Sequence, residues 1–211
     1  MTKEQKHDLR LLEKDMQKTI KKQGILKSLK VISNCIYCKM EEFFIYAVYF
    51  VQLKNEGYEF VLRINIKPYV YDDLFWEFLN MTDNINQKDS LRANGAYACP
   101  SLELKELAYE IANLDSLEEL VSNAMLEIKS ESELFIDKVH KKYGNFNIYI
   151  LEQSGILDER LLKMLAYICN EDFSAAMKLV TSEIELGNRG GYSNEGKDIY
   201  EHILNYCMIK M

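Results

Sequence analysis

Apolar side chains near the start of the chain recur with the period of an α-helix. These residues are Leu9, Leu12, Met16 and Ile20, which fall three, four and four positions apart. In a helix over residues 3–23 this spacing places their side chains on one face. Gly24 follows directly, and glycine closes many helices because it adopts the left-handed conformation at little cost. The pattern therefore predicts an N-terminal amphipathic helix that ends at Gly24.

Three segments after this helix have the pattern of β-strands. Residues 29–40 mix apolar and small polar side chains, whereas residues 43–53 are apolar on both faces, as in a central strand covered on both sides. Residues 58–67 alternate between an apolar and a polar face. A three-residue loop at 55–57, which ends in glycine, joins the second segment to the third. The pattern predicts an antiparallel meander.

The polar face of the third segment includes Arg63 and Lys67. Pro68 is expected to end that strand, because proline offers no N–H group to the ladder. An aspartate pair at 72–73 then begins a short helix, where two early carboxylates suit the positive end of the helix dipole.

Residues 82–100 are the least regular part of the chain and are rich in asparagine, aspartate and glycine. A loop or an edge strand around 90–99 fits them. A fourth strand is expected in this region, because three strands would leave much of the apolar face of the sheet uncovered.

The second half of the chain has a helical pattern. Helices are predicted from about residue 115 to 143, before Gly144, and over 158–169, 172–186 and 194–208. The fold class is therefore α+β: an N-terminal helix, an antiparallel meander of three to four strands with a short helix, and a C-terminal group of about four helices. No linker composition interrupts the chain, so a single domain over 1–211 is expected, with a sheet-rich half at 1–104 and a helix-rich half at 115–211.

Composition agrees with a globular protein. Hydrophobic residues make up 48% of the 211, and there are only nine glycines and two prolines. The longest apolar run, residues 43–51, is far shorter than the stretch of about 20 that crosses a membrane. The charged N-terminus lacks the apolar segment of a signal peptide, and the five cysteines have no framework spacing. These features predict a cytoplasmic protein with reduced thiols and no membrane association.

Charge is unevenly distributed along the chain. The net charge is −7, yet the first 30 residues carry nine basic and four acidic side chains. Residues 115–137 are the acidic extreme, with seven carboxylates against one lysine. Such a surface repels nucleic acid and steers a basic partner towards it, although a solvated helix face has the same composition. The candidate partner-binding residues are Glu118, Glu119, Glu127, Glu131, Glu133 and Asp137. Asp115 is the first carboxylate of the same acidic segment.

The sequence contains no recognisable catalytic motif. Cys35 and Cys38 form a C-x-x-C, but positions three apart in a strand point to opposite faces, so both are interpreted as structural cysteines. His140 and His202 stand alone and are interpreted as surface-helix residues. We therefore expect no catalytic residue, no metal site and no cofactor, which favours a protein that is not an enzyme.

A glycine-rich segment precedes the last predicted helix. Arg189, Gly190, Gly191 and Lys197 lie in it, and a glycine-rich turn that leads into a helix N-terminus can hold an anion. This favours, as an alternative, a phosphate- or nucleotide-binding enzyme or sensor that uses the loop 187–198. The same residues also suit a flexible loop between two helices.

The order of elements resembles that of small bacterial α+β proteins of unknown function that occur near polymorphic toxins and are regarded as immunity proteins. The similar features are the helix that contains Leu11-Leu12-Glu13-Lys14, the loop Arg92-Ala93-Asn94-Gly95-Ala96-Tyr97 and the segment Gly196-Lys197-Asp198-Ile199-Tyr200. The resemblance implies a cytoplasmic, non-enzymatic inhibitor of a partner protein, here a basic toxin held on the acidic surface. A homo-oligomeric structural protein is a third interpretation.

Overall fold

The structure is a computed structural model that describes residues 2–54, 57–111 and 116–211. Its larger helices are α1 (Lys3–Leu26), α2 (Tyr69–Phe78), α3 (Ser90–Asn94), α4 (Leu117–Tyr143), α5 (Phe146–Glu152), α6 (Glu159–Cys169), α7 (Phe173–Glu185) and α8 (Ile199–Lys210). A 3-10 helix spans Thr82–Asn86. The strands are β1 (Lys30–Ile32), β2 (Cys35–Met40), β3 (Phe43–Lys54), β4 (Gly57–Pro68), β5 (Leu102–Ile111), β6 (Ser193–Asn194) and β7 (Lys197–Asp198). The predicted α+β class is confirmed.

The chain divides into two compact units that alternate along the sequence. The sheet unit consists of Met1–Ile66 and Glu103–Phe135, and the helical unit of Lys67–Leu102 and Ile136–Met211. These units do not correspond to the predicted halves at 1–104 and 115–211. The single domain over 1–211 stays a prediction.

The sheet unit is built on an antiparallel sheet with the strand order β1-β2-β3-β4-β5. The predicted central strand is confirmed, since β3 lies in the middle and Phe43, Phe44 and Ile45 are fully buried. In the register of β2 with β3, Cys38 lies opposite Ile45. Helix α1 packs against β1 and β3. Of the predicted hairpin loop at 55–57, the first two residues lie outside the described residues.

Gly24 does not end α1, which continues to Leu26. The glycine is buried, and a Cβ placed on it would lie 2.8 Å from Val31 Cγ2 and 3.2 Å from Leu29 O. The chain turns back against the helix at this point. The position therefore requires a small residue, not a left-handed one.

The segment 29–40 is two strands and not one. Ser33 has a φ of 49° in the turn between β1 and β2, so the chain reverses there. The additional strand was also predicted in the wrong place: the segment 90–99 contains α3, whereas β5 spans Leu102–Ile111. The sequence of β5, LELKELAYEI, is composed mostly of good helix formers, which is why its strand character was missed.

The helical unit packs successive helices against each other: α5 on α6, α6 on α7 and α7 on α8, with α2 against α8. Leu162, Leu165 and Ile203 are fully buried in it. Helix α8 begins at Ile199, later than predicted, because the preceding residues form the short hairpin of β6 and β7. Within the described part of the chain, no helix combines the length and apolar character needed to cross a membrane.

Candidate functional site

Three of the six acidic candidates in α4 form ion pairs with lysines of their own chain. Glu118 Oε1 lies 2.6 Å from Lys22 Nζ, and Glu131 Oε1 lies 2.5 Å from Lys105 Nζ. Further along α4, Asp137 pairs with a lysine one turn away, Lys141, at 2.8 Å. These pairs neutralise part of the negative charge that the sequence concentrates here. Asp115 lies outside the described residues.

Glu127 is half-buried and lies near Tyr109 of β5. Burial, followed by the charge of Glu127, raises the pKa of Tyr109 well above its usual value, so the phenol stays neutral. Glu127 is therefore turned towards the sheet and offers less of its charge to solvent than an outward-facing carboxylate does.

The remaining two candidates, Glu119 and Glu133, are exposed and have no ion-pair partner in the described part of the chain. They lie fourteen positions apart, close to four turns, and so face the same way. Leu126, midway between them, is 48% exposed, and Leu134 is 66% exposed. We call these four residues the outer face of α4. It combines unpaired carboxylates with large apolar side chains, which a merely solvated face does not require.

A groove of about 520 Å³ lies in the helical unit. Its walls come from Ile156 and residues 158–161 around the start of α6, from Arg189 and Gly190, and from Tyr200 of α8. We call it the α6–α8 groove. Its volume lies in the range of small-molecule sites.

Arg160 is held at the wall of this groove by a buried carboxylate. Its Nε lies 3.1 Å from Glu183 Oε1, and Asn188 donates a hydrogen bond of 2.7 Å to Glu183 Oε2. Glu183 is only 5% exposed, whereas the Arg160 side chain is 57% exposed. The buried acid therefore holds the guanidinium near the groove, while the exposed part of the side chain stays at the surface.

Tyr200 forms another part of the wall. The residue is 5% exposed, and its hydroxyl is not one of the buried polar atoms that lack a partner in the described part of the chain, so the oxygen keeps contact with solvent. Burial, followed by the charge of Glu183, raises the pKa of Tyr200. The phenol is therefore a neutral hydrogen-bond donor at physiological pH.

The structure brings together only part of the predicted anion loop. Arg189 and Gly190 line the groove, whereas Lys197 lies on β7 and neither it nor Gly191 lines the groove. The Gly190 N–H donates to Asp198 Oδ1 at 3.0 Å, and this oxygen also accepts from the Tyr200 N–H. The N-terminus of α8 is thus capped by its own aspartate, which argues against a phosphate cradle formed by the backbone there.

Gly190 has a packing role beside the groove. A Cβ at this position would collide with Ile199 Cγ2 and lie 3.0 Å from Tyr200 Cε1. The glycine therefore lets the loop lie directly on α8, and this contact brings Arg189 to the groove. Sequence reasoning found Arg189 and Gly190 through the glycine cluster. It missed Arg160 and Tyr200, because no motif connects them.

A second groove, of about 580 Å³, lies in the sheet unit between α1 and β3. Arg10, Glu13 and Lys14 stand along it. The hydroxyl of Tyr49 in its wall is already satisfied, since it donates to Ser33 O at 2.8 Å. This groove mixes charges of both signs, and among the described residues that line it no buried polar side-chain atom lacks a hydrogen-bond partner.

The helical unit also contains a fully buried ion pair. Lys67 Nζ lies 2.7 Å from Asp72 Oδ1 and donates to Cys99 O at 2.8 Å, and both charged side chains are 0% exposed. Arg92 Nη1 lies 3.6 Å from Asp72 Oδ2. Burial raises the pKa of Asp72, while Lys67 and then Arg92 act in the opposite direction. The sequence places Lys67 on the polar face of the third strand segment, yet its side chain is fully buried. Its pairing with Asp72 indicates a structural role.

The sequence predicts that Asp72 and Asp73 begin the short helix, and the structure contradicts this prediction. Helix α2 starts at Tyr69, and Asp72 is turned inward, where its Oδ1 accepts from the Cys99 N–H at 3.0 Å. The prediction failed because a carboxylate early in a helix is usually solvated, whereas this one is neutralised by Lys67.

Cys35, Cys38 and His202 lie in buried or half-buried positions, whereas His140 is exposed. Cys35 is buried in β2. Burial raises the pKa of Cys38 to about 11, so this thiol does not have the low pKa of a redox cysteine. His202 is 8% exposed, and its Nε2 lies 3.1 Å from Asn194 O. The interpretation of His202 as a surface residue is therefore wrong.

Comparison of the chain with protein-family models, with curated proteins and with solved structures gives no match.

Proposed function

We propose that this chain is a non-enzymatic, cytoplasmic protein-binding module that holds a basic partner on the outer face of α4. The narrower form of the proposal is an immunity-type inhibitor whose partner is a basic toxin. The observation that carries it is the outer face itself, where Glu119 and Glu133 lack ion-pair partners in the described part of the chain and flank exposed leucines.

The two kinds of side chain on this face would contribute to binding in different ways. The unpaired carboxylates attract a basic surface over long range and raise the rate of encounter. Leu126 and Leu134 supply apolar area that is removed from water once the partner is in place. Complexes of this kind owe their salt dependence to the charges and much of their lifetime to the apolar anchors.

The paired acids contribute less to this proposal than their number in the sequence suggests. Glu118 and Glu131 already contact lysines, so a partner would have to displace those lysines before it used the carboxylates. The proposed binding residues are therefore Glu119, Glu133 and the two leucines, with the paired acids as a supporting negative field.

The test begins with affinity capture from the lysate of the source cells at low salt, followed by purification of any stoichiometric basic partner. The dissociation constant is then measured against salt concentration for the double variant Glu119→Lys/Glu133→Lys. We expect binding at least about tenfold weaker and a smaller salt dependence, since two attractive charges become repulsive. The matched control is Glu152→Lys/Glu185→Lys, which reverses two exposed acids on other helices.

Unchanged binding in the outer-face variant, or an equal loss in the control, would contradict this site. Co-expression with the captured partner tests the narrower proposal, because an inhibitor relieves the partner's toxicity and a simple binding module does not. Sedimentation of the isolated chain separates both from the homo-oligomeric interpretation.

A further inference from the structure

We propose that the α6–α8 groove is a binding site for a small ligand that carries an oxyanion, a phosphate or a carboxylate, with Arg160, Arg189 and Tyr200 as its binding residues. This site is independent of the outer face of α4. It also differs from the anion loop suggested by the sequence, since neither Lys197 nor the backbone at the start of α8 takes part.

Arg160 is arranged for this role before any ligand arrives. The ion pair of its Nε with Glu183 Oε1 at 3.1 Å keeps the guanidinium at the groove, and the side chain is still 57% exposed, so its outer nitrogens are accessible to a ligand. A guanidinium edge matches the two oxygens of a carboxylate or phosphate. An arginine that is already held in place also loses less conformational entropy on binding than a freely rotating one.

Tyr200 adds a polar group to the wall of the groove. The residue is 5% exposed, and its hydroxyl is not one of the buried polar atoms that lack a partner in the described part of the chain, so the oxygen keeps contact with solvent. A ligand oxygen in the groove would replace water as its hydrogen-bond partner. Arg189, exposed on the opposite loop, adds a second positive charge with no ion-pair partner in the described part of the chain.

The acidic residues at the groove narrow the class of ligand. Glu159 is already engaged, since it accepts from Lys163 Nζ and from the Gly155 N–H, each at 2.6 Å. Asp158 also lines the groove, and no hydrogen bond occupies its carboxylate in the described part of the chain. A free carboxylate beside two arginines favours ligands that carry a hydroxyl or amino group together with the oxyanion.

The test is isothermal titration of the full chain with inorganic phosphate and with malate, which separate the phosphate source from the carboxylate source. At least one probe is expected to bind. Tyr200→Phe removes only the hydroxyl and should weaken binding about threefold to tenfold, as for a neutral hydrogen bond. Arg189→Gln should weaken it by about tenfold or more, as for a charge-assisted contact.

Lys197→Gln is the matched control, because Lys197 is exposed in the same loop region but does not line the groove. Its affinity should stay within about twofold of the parent chain, in line with an exposed charge outside the site. No heat of binding from either probe at 10 mM would overturn the proposal. So would a loss confined to Lys197→Gln with the other two variants unchanged, a result that would restore the loop predicted from the sequence.

Discussion

Two cations of strand β4 stand four residues apart and have opposite surroundings. Arg63, in the sheet unit, pairs with Glu106 at 2.6 Å, and both side chains are about half exposed, at 49% and 47%. Lys67, in the helical unit, pairs with Asp72 at 2.7 Å, and both side chains are 0% exposed. The same alternating pattern thus places one cation in water and the other in the protein interior.

This difference extends to some of the other ion pairs, although the exposed Asp137–Lys141 pair also belongs to the helical unit. The sheet unit pairs its charges at the surface, as Lys22 does with Glu118. The helical unit buries at least one partner in Lys67–Asp72 and in Arg160–Glu183. Exposed pairs contribute little to stability and can be exchanged for contacts with a partner. A buried pair cannot be exchanged in this way, because the removal of one member leaves an uncompensated charge away from water. The two candidate sites therefore differ. The exposed ion pairs on α4 can be exchanged for contacts with a partner, whereas the ion pair at the α6–α8 groove has a buried member and stays in place.

The largest effect is expected from Lys67→Met. This variant fills a similar volume but leaves the Asp72 carboxylate buried without its main counter-charge and removes the donor to Cys99 O. We expect a loss of about 3–5 kcal/mol in the free energy of unfolding, measured by urea denaturation. The matched control on the same strand is Arg63→Met, which should lower Tm by less than about 3 °C. Similar losses from the two variants would remove the distinction drawn between the units.

An intermediate effect is expected at alkaline pH. Burial raises the pKa of Cys38 in the sheet unit to about 11, from 9.0. The unfolded chain releases this proton first, so the native state loses stability as the pH rises from 9 to 11, by about 2 kcal/mol for this group. Cys169 and Cys207 in the helical unit behave alike, since burial raises the pKa of each to about 11.

Urea denaturation at pH 8, 9, 10 and 11 measures this loss, and Cys38→Ala provides the control. The variant is less stable at pH 8, but its stability should fall less steeply above pH 9 because one of the titrating groups is gone. Equal slopes for the variant and the parent chain would show that the Cys38 thiol ionises as readily in the folded state as in the unfolded chain.

The sequence was sufficient where a pattern is long and local. The all-apolar run of β3, the alternation of β4 and the helical period of α4 each predicted an element that the structure contains. Strand β5 was not predicted, because its leucines, glutamates and lysine favour a helix. Only its pairing with the sheet makes the segment a strand. The burial of Lys67 was not predicted for a related reason. A period of two assigns each residue to one face of the strand, but it does not show whether that face is covered by other parts of the protein.

The candidate sites show the same limit. Arg189 and Gly190 were found because four of the nine glycines cluster around them. Arg160, Glu183 and Tyr200 lie on three helices about 20 residues apart, and nothing in the sequence connects an arginine, a glutamate and a tyrosine at such distances. On α4, the sequence identified the acidic residues but could not separate the paired ones from Glu119 and Glu133, because the lysines that pair with them include Lys22 and Lys105, which are distant in the chain.

The smallest effect is expected at the surface pair of Lys105 and Glu131, whose side chains are 41% and 31% exposed. A double-mutant cycle with Lys105→Ala and Glu131→Ala should give a coupling near the detection limit of denaturation, since solvent screens such a pair. A weak coupling means that Glu131 can exchange its lysine for a basic partner at little cost in free energy. The paired acids of α4 could then bind the partner together with Glu119 and Glu133. A coupling as large as that expected for Lys67 and Asp72 would mean that α4 is fastened to β5 by this pair. In that case the partner surface would be confined to the outer face.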